Sequence, residues 1–169
     1  MQNLTIKGKV WKFGDEIDTD LIIPGKYLAQ KDPLEWAAHA FEPISSGFAQ
    51  KVKKDDIIVA GNNFGCGSAR EHATIAIKKM GIGAVLAESI ARIFFRNAIN
   101  NGLLVIECPG ISADVVEGDI LEIDLSSSKI LHSNRKRTYD FIKVPEIILE
   151  IISAGGLIPY LKQGHHGFQ

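Results

Sequence analysis

The chain has 169 residues, of which 46% are hydrophobic and 23% charged, a composition typical of a globular protein with a substantial core. Its 19 basic and 20 acidic side chains nearly cancel, so we expect neither a nucleic-acid surface nor a polybasic membrane contact. The apolar runs are too short to span a bilayer, and the N-terminus does not resemble a signal peptide, so a cytoplasmic location is expected.

The sequence contains two cysteines, Cys66 and Cys108. Two thiols cannot hold a structural zinc ion or a four-iron cluster without further ligands. In a reducing compartment both are expected to be free thiols. Any metal chemistry is therefore predicted to come from outside this chain.

The N-terminal part of the chain predicts a strand, two loops and a short helix. Residues 4–13 are rich in β-favouring side chains and predict the strand. The polar residues 15–20 predict a loop, and a Pro-Gly pair indicates a turn soon after it. Residues 26–32 are predicted to form a mobile loop, and residues 33–41 a helix with proline in its first turn.

The middle of the chain alternates between strands and helices. Short apolar runs bounded by glycine predict strands, and longer segments of mixed polarity predict helices. The predicted strands are 56–60, 84–87 and 103–107, and the predicted helices are 68–80 and 89–100. This order indicates a parallel sheet with right-handed crossovers.

The last third predicts antiparallel β-structure followed by a helix. Residues 119–125 alternate between apolar and polar side chains, and residues 129–132 follow a serine-rich turn as a hairpin partner. Residues 145–154 predict a closing helix, and the tail 163–169 is expected to fray. The predicted fold class is α/β, with one domain over residues 1–169, a parallel-sheet core and an added β-rich layer.

A glycine-rich loop between a predicted strand and a predicted helix carries the most information. Gly61, Gly65 and Gly67 let the backbone turn sharply and approach another group closely. The loop leads into a helix N-terminus, whose free N–H groups attract anions. Arg70 adds a planar donor suited to a carboxylate or phosphate. The stretch therefore predicts an anion-binding loop.

Ser68 in this loop allows two interpretations. Residues 68–71 read Ser-Ala-Arg-Glu and match a capping box, in which the serine is the N-cap of the helix. Alternatively, the Ser68 oxygen acts as a base whose alkoxide is stabilised by helix N–H groups and by Arg70. The loop lacks the G-x-S-x-G pattern of a hydrolase.

The same loop is similar to part of a dinucleotide-binding fingerprint. Gly65-x-Gly67-x-x-Arg70 follows a predicted strand, and Glu88 lies about twenty residues further on, where an acid would bind ribose. However, Arg70 stands in place of the third glycine, and no P-loop lysine follows. A nucleotide-binding module stays open as an alternative from another functional class.

Three sequence blocks resemble the aconitase and isopropylmalate dehydratase superfamily. They read Gly-Asp-Glu-Ile-Asp-Thr-Asp at 14–20, Gly-Ser-Ala-Arg-Glu-His at 67–72 and Ser-Ile-Ala-Arg-Ile-Phe at 89–94. The blocks keep the order of the family. They resemble its stand-alone small subunit, which corresponds to the swivelling β/β/α domain of single-chain aconitases.

The resemblance implies a hydro-lyase subunit that is active only with its large subunit, in a heterodimer or heterotetramer. The large subunit would carry a four-iron, four-sulfur (4Fe-4S) cluster as Lewis acid, and this chain would hold no cofactor. Ser68 matches the family's serine base and Arg70 the neighbouring arginine. Gly67 and Ala69 would also contact the substrate, a small hydroxy-dicarboxylate. Ala69 departs from the second serine of many members.

Other residues near these blocks have more than one interpretation. Asp18 and Asp20 either order their own loop or orient site residues across the subunit interface. His72 is expected to support the site by packing in its helix, with acid–base chemistry as the alternative. Arg92 is expected to be structural and to pair with Glu88, four residues away.

The resemblance implies that Tyr27, Leu28, Ala29 and Gln30 face the variable arm of the substrate. Ala29 and Gln30 carry no charge, which favours an apolar arm such as isopropyl, because an extra buried carboxylate would lack a partner. The implied reaction interconverts 2- and 3-isopropylmalate through isopropylmaleate in leucine biosynthesis. Homoaconitase and dehydratases of the dimethylmalate or methylaconitate type are alternatives, and a surface linker is the neutral interpretation of the loop.

Overall fold

The computed structural model describes residues 5–164, and within them one seven-stranded sheet is combined with eight short helices. The strands are β1 Thr5–Lys12, β2 Ile57–Ala60, β3 Ala84–Ala87, β4 Val105–Glu107, β5 Ile120–Asp124, β6 Lys129–His132 and β7 Arg137–Asp140. The helices are α1 Thr19–Ile22, α2 Pro33–Ala38, α3 Phe48–Lys51, α4 Glu71–Lys79, α5 Arg92–Asn100, α6 Ile111–Asp114, α7 Glu146–Ser153 and α8 Leu157–Lys162. A 3-10 turn spans Gly25–Tyr27.

The sheet has a parallel half and an antiparallel half that share β1. Its strand order is β4-β3-β2-β1-β5-β6-β7. The strands β1 to β4 pair in parallel, whereas β5, β6 and β7 continue the sheet from β1 as antiparallel neighbours. The predicted fold class is confirmed, and the β-rich part is an extension of the same sheet.

Helices cover the parallel half on both faces, which explains its continuous apolar strands. Along β2, Ile58 and Ala60 belong to one buried cluster, and Ile57 and Val59 belong to the other. Because neighbouring side chains of a strand point to opposite faces, the two clusters lie on the two sides of the sheet. The cluster that contains Ile58 lies under the segments that build the site.

Several element boundaries differ from the sequence-based predictions. The helices α4 and α5 each begin three residues later than predicted, at Glu71 and Arg92, and α2 ends at Ala38. The short elements α1, α3, α6, β7 and α8 were not predicted at all. Residues 165–169 of the tail predicted to fray lie outside the described residues. Between residues 5 and 164, no helix has the length and apolar character needed to cross a membrane.

Candidate active site

Two loops that are distant in the sequence are joined by backbone hydrogen bonds at the ends of β1 and β2. The Gly65 N–H donates to Ile17 O at 2.8 Å, and the Thr19 N–H donates to Cys66 O at 2.9 Å. The buried Thr19 adds a side-chain bond, since its hydroxyl donates to Ser68 O at 2.8 Å. These bonds fix the backbone of the glycine loop through Ser68.

The glycines of the loop let other parts of the protein approach its backbone. At Gly67, where φ is +85°, an added Cβ would lie 2.3 Å from Asp18 Oδ2. At Gly65, where φ is +77°, an added Cβ would lie 2.2 Å from the ring of Phe94. The close approach predicted from sequence therefore involves Asp18 and Phe94 within the chain.

Asp18 and Asp20 hold the loop that faces the glycine loop. The Asp18 carboxylate accepts the Asp20 N–H at 2.7 Å and so caps α1. The Asp20 carboxylate pairs with the Arg70 guanidinium. The local interpretation of Asp18 accounts for this bond, and Asp20 also reaches a residue predicted to lie in the site.

Arg70 joins the glycine loop to the segment that follows α1. It is the N-cap residue of α4, with extended backbone at φ −100° and ψ 102°, and not a first-turn residue. Besides its pairing with Asp20, the guanidinium donates to Ile23 O at 3.2 Å. The side chain is 21% exposed. A ligand carboxylate that binds Arg70 must therefore share it with Asp20.

Ser68 is exposed and lies before the helix, not at its cap. The prediction of a capping box is wrong, because α4 begins at Glu71 with Arg70 as its N-cap. The loop is tethered at Ser68 O by the Thr19 hydroxyl and bends at residues 67–68, and Arg70 has extended backbone, so the helical backbone starts only at Glu71. Within residues 5–164 the Ser68 hydroxyl makes no hydrogen bond. The hydroxyl is thus free to meet a ligand.

Ser68 lies in an open cleft of about 460 Å³ between the glycine loop and the start of α5. The loop contributes Gly67, Ala69 and Arg70 to the lining, as the predicted substrate contacts require. The opposite wall contains Arg92, Ile93 and Asn97, and Asn63 also borders the cleft. Arg92 belongs to the third block of the resemblance, at 89–94, and Asn97 follows it, but the sequence alone does not assign either residue to the site.

The predicted pairing of Arg92 with Glu88 is wrong. The Glu88 carboxylate accepts the Gly110 N–H at 2.6 Å and both the N–H and the hydroxyl of Ser112, at 2.8 and 2.6 Å. Burial raises the pKa of Glu88, but the hydrogen bonds from Ser112 and Gly110 outweigh it, and the net pKa is lowered. Both oxygens are engaged, which argues against Glu88 as a ribose-binding acid.

Residues 27–30, which the resemblance places at the variable arm of the substrate, follow a turn that lies beside Arg70. The Tyr27 hydroxyl donates to Glu42 at 2.6 Å, and Leu28 packs against the core. The side chains of Ala29 and Gln30 are exposed, but none of residues 27–30 is among those that line the cleft around Ser68. An added Cβ at Gly25 would lie 3.8 Å from an Arg70 guanidinium nitrogen, which places the start of the loop next to that side chain.

His72 lies behind the site. Its ring packs edge-on against Trp36 at a centroid distance of 4.5 Å, and the Trp36 indole N–H donates to Gln30 O at 3.1 Å. Through Trp36, the helix α4 thus supports residues 27–30. This arrangement fits the packing interpretation of His72.

The thiol of Cys66 borders the cleft but is not activated. Burial raises its pKa, and the negative charges of Asp18 and Glu16 raise it further. A thiolate nucleophile or metal ligand needs the opposite shift. The described part of the chain contains no group of three or more His, Cys, Asp or Glu that could hold a metal ion, so its side chains do not fit an iron–sulfur cluster.

Known proteins share both the sequence and the fold of this chain. Residues 29–110 match the family model of the aconitase C-terminal domain. A 3-isopropylmalate dehydratase small subunit of Thermodesulfovibrio yellowstonii is 53% identical over 95% of both chains. An isopropylmalate/citramalate isomerase small subunit of Methanocaldococcus jannaschii is 52% identical over 94% of both. A crystal structure of 3-isopropylmalate dehydratase from Methanocaldococcus jannaschii has a TM-score of 0.89 at 51% identity and covers 95% of each chain.

The match to the family model and the shared fold define an aconitase-type C-terminal domain. The chain belongs to the family of 3-isopropylmalate dehydratase small subunits, which are hydro-lyase subunits. As a small subunit, it has a large subunit as its partner.

Proposed function

We propose that this chain supplies the catalytic serine of a two-subunit dehydratase that interconverts 2- and 3-isopropylmalate. Water is lost from one isomer to give an unsaturated dicarboxylate and is added back at the neighbouring carbon. This is the isopropylmalate reaction of leucine biosynthesis. Relatives named for this reaction align with nearly the whole chain, and about half of the aligned residues are identical, which supports the assignment.

The observation that carries the proposal is the free Ser68 hydroxyl at the cleft, beside Arg70 and before the N-terminus of α4. In the proposed step, Ser68 Oγ removes the proton from the carbon next to a substrate carboxylate. Arg70 binds that carboxylate or stabilises the serine alkoxide, and the N–H groups at the start of α4 add positive potential. Gly67 and Ala69 lie beside the substrate, while Asp18, Asp20 and His72 hold the surrounding backbone and side chains.

The Lewis acid for the substrate hydroxyl is proposed to be a 4Fe-4S cluster on the large subunit. The contribution of this chain is confined to binding the dicarboxylate and moving one proton. We therefore expect the isolated chain to be inactive. The ratio of the subunits, a cytoplasmic location and the absence of nucleic-acid or membrane partners stay predictions.

A second substrate is favoured by a specific observation. The relative from Methanocaldococcus jannaschii is named an isopropylmalate/citramalate isomerase small subunit and is as similar as the dehydratase subunits. The exposed Ala29 and Gln30 carry no charge, which suits either an isopropyl or a methyl arm. Homoaconitate has an additional carboxylate on its arm, which these two residues would leave unpaired.

The test is Ser68→Ala in the enzyme assembled anaerobically with its large subunit. Turnover is followed by the absorbance of the unsaturated acid, with isopropylmalate, citramalate and homocitrate as substrates. Loss of a general base lowers kcat by about 10²–10⁴-fold. The control is Ser153→Ala, which removes an exposed hydroxyl at the end of α7, outside the residues that line the cleft.

Size-exclusion chromatography checks that both variants still assemble with the large subunit. Full turnover by an assembled Ser68→Ala enzyme would show that the serine is not the base. Turnover of homocitrate alone by the wild-type enzyme would overturn the choice of an apolar arm.

A further inference from the structure

We propose that Glu42 is a positioning residue that holds the loop 25–30, here called the arm loop, next to Arg70, and thereby sets which substrate arm the assembled enzyme accepts. The inference rests on the proposed function, because it assigns a role in substrate selection to a residue outside the cleft. Glu42 follows α2 and is part of neither the glycine loop nor α5.

Three polar side chains converge on the Glu42 carboxylate. The Tyr27 hydroxyl donates to Oε2 at 2.6 Å, and His39 Nδ1 lies 2.9 Å from the same oxygen. Lys26 Nζ lies 3.5 Å from Oε1. The hydrogen bonds from Tyr27 and His39 lower the pKa of Glu42, so the group stays ionised at neutral pH. Two of these partners, Lys26 and Tyr27, belong to the arm loop.

Tyr27 is held by its ring as well as by its hydroxyl. The ring stacks on His39 with centroids 4.0 Å apart and planes 8° apart. His39 and Glu42 both belong to the turn that follows α2. Between them, the buried Phe41 donates its N–H to Ile22 O at 2.9 Å. The anchor of the arm loop is therefore fixed to the core.

The two ends of the arm loop are held by other groups. Two residues before the loop, Ile23 O accepts from Arg70, and at its last residue Gln30 O accepts from Trp36. The middle of the loop depends on Tyr27 and on the packing of Leu28. Loss of the Glu42 anchor would thus loosen the middle, where Ala29 is exposed, and leave both ends in place.

A loosened loop should impair binding more than chemistry. Ser68 and Arg70 are held by separate contacts, so the proton transfer keeps its geometry. Ordering the loop around the substrate arm would then take place at each binding event and would weaken binding. We expect a higher KM, a nearly unchanged kcat and a smaller preference between isopropylmalate and citramalate.

The experiment compares Glu42→Ala, Glu42→Gln and Tyr27→Phe in the enzyme assembled with its large subunit. Tyr27→Phe removes only the hydroxyl. Its matched control is Tyr160→Phe, because the Tyr160 hydroxyl donates to Glu150 at 2.9 Å in the C-terminal helices, away from the cleft. Glu42→Ala should raise KM about tenfold, the value of one hydrogen bond to a charged group. Glu42→Gln should restore part of this loss, and Tyr160→Phe should leave KM unchanged.

A second measurement on the isolated chain needs no turnover. The Leu28 N–H donates to Gly25 O and the Gln30 N–H to Tyr27 O, both at 3.1 Å, so hydrogen exchange at these amides reports the order of the arm loop. Exchange should accelerate in Glu42→Ala and Tyr27→Phe and should not change in Tyr160→Phe.

The outcomes separate the proposals. Unchanged exchange in Glu42→Ala would overturn the holding role. Faster exchange with an unchanged KM and an unchanged preference between substrates would overturn the role in selection. If the wild-type enzyme converts none of the substrates, the proposed function fails, while the exchange data still decide whether Glu42 holds the loop.

Discussion

The contact between Gly67 and Asp18 can be tested by one added methyl group. In Gly67→Ala the new Cβ would lie 2.3 Å from Asp18 Oδ2 and 2.6 Å from Cγ, so the carboxylate must move. That carboxylate caps α1 by accepting the Asp20 N–H. The substitution should therefore strain the backbone and also remove a helix cap.

The two costs can be estimated separately. A residue with a side chain in the left-handed region, here at φ +85°, costs about 1–2 kcal/mol relative to glycine. Loss of an N-cap side chain costs about 1 kcal/mol. Because Asp18 is a flexible side chain, its displacement adds little more, and Gly67→Ala should lower the free energy of unfolding by about 2–3 kcal/mol.

Gly110→Ala is the matched control. Gly110 has φ +88°, but an added Cβ there meets no heavy atom within 4 Å. Only the backbone cost applies, so we expect a loss of about 1–2 kcal/mol. Urea unfolding of the isolated chain measures both variants, and in an Asp18→Ala background Gly67→Ala should cost no more than Gly110→Ala does. Equal losses for the two glycines in the wild-type background would refute the steric argument.

Two further predictions concern titratable groups. The pKa of Glu88 is lowered from its ordinary value of 4.5, so the ionised carboxylate stabilises the fold above that pH, and this stabilisation is lost as the pH falls through the lower pKa of the folded state. In urea unfolding, the difference in stability between wild type and Glu88→Gln should therefore be full at pH 7 and vanish in acid. A difference that persists in acid would contradict this prediction. Burial raises the pKa of Cys108 to about 11, so this thiol should not react with iodoacetamide at pH 8 in the native protein. Mass spectrometry should show slow alkylation of the half-buried Cys66 and alkylation of Cys108 only in denaturant. Labelling of Cys108 in the native protein would contradict this prediction.

The strands of the parallel half could be predicted because their signal is local. The predicted strand at 84–87 coincides with β3, and 56–60 contains β2, since both are short apolar runs bounded by turn residues. The helix starts were misplaced because tertiary contacts override the local pattern. At Ser68 the capping-box motif is present, but Ser68 O accepts a bond from the Thr19 hydroxyl in a bend of the loop, and the helix begins only after Arg70.

Only the residues of the candidate site that belong to sequence motifs could be predicted. The pattern of the glycine loop indicated an anion site, and the structure places Ser68, Ala69 and Arg70 along one cleft. The partners of Glu88 could not be found from spacing, because Ser112 and Gly110 lie more than twenty residues away, in and just before the short helix α6 that follows β4. Glu42 belongs to no recognisable sequence motif. Its proposed role in holding Tyr27 depends on how the turn after α2 folds back onto that residue, which the sequence does not reveal.

The pairing of Arg70 with Asp20 determines what the cleft offers to a dicarboxylate. The Asp20 carboxylate is exposed and offsets part of the charge of Arg70, so this guanidinium alone is a weak site for a second anion. On the opposite wall Arg92 is exposed and forms no ion pair with any of residues 5–164. The cleft therefore has a positive group on each wall, so a ligand with two anionic groups can pair with more of this charge than a ligand with one. A monocarboxylate would pair with one of them and leave the other to solvent, so the charge of the cleft is consistent with the proposed dicarboxylate substrate.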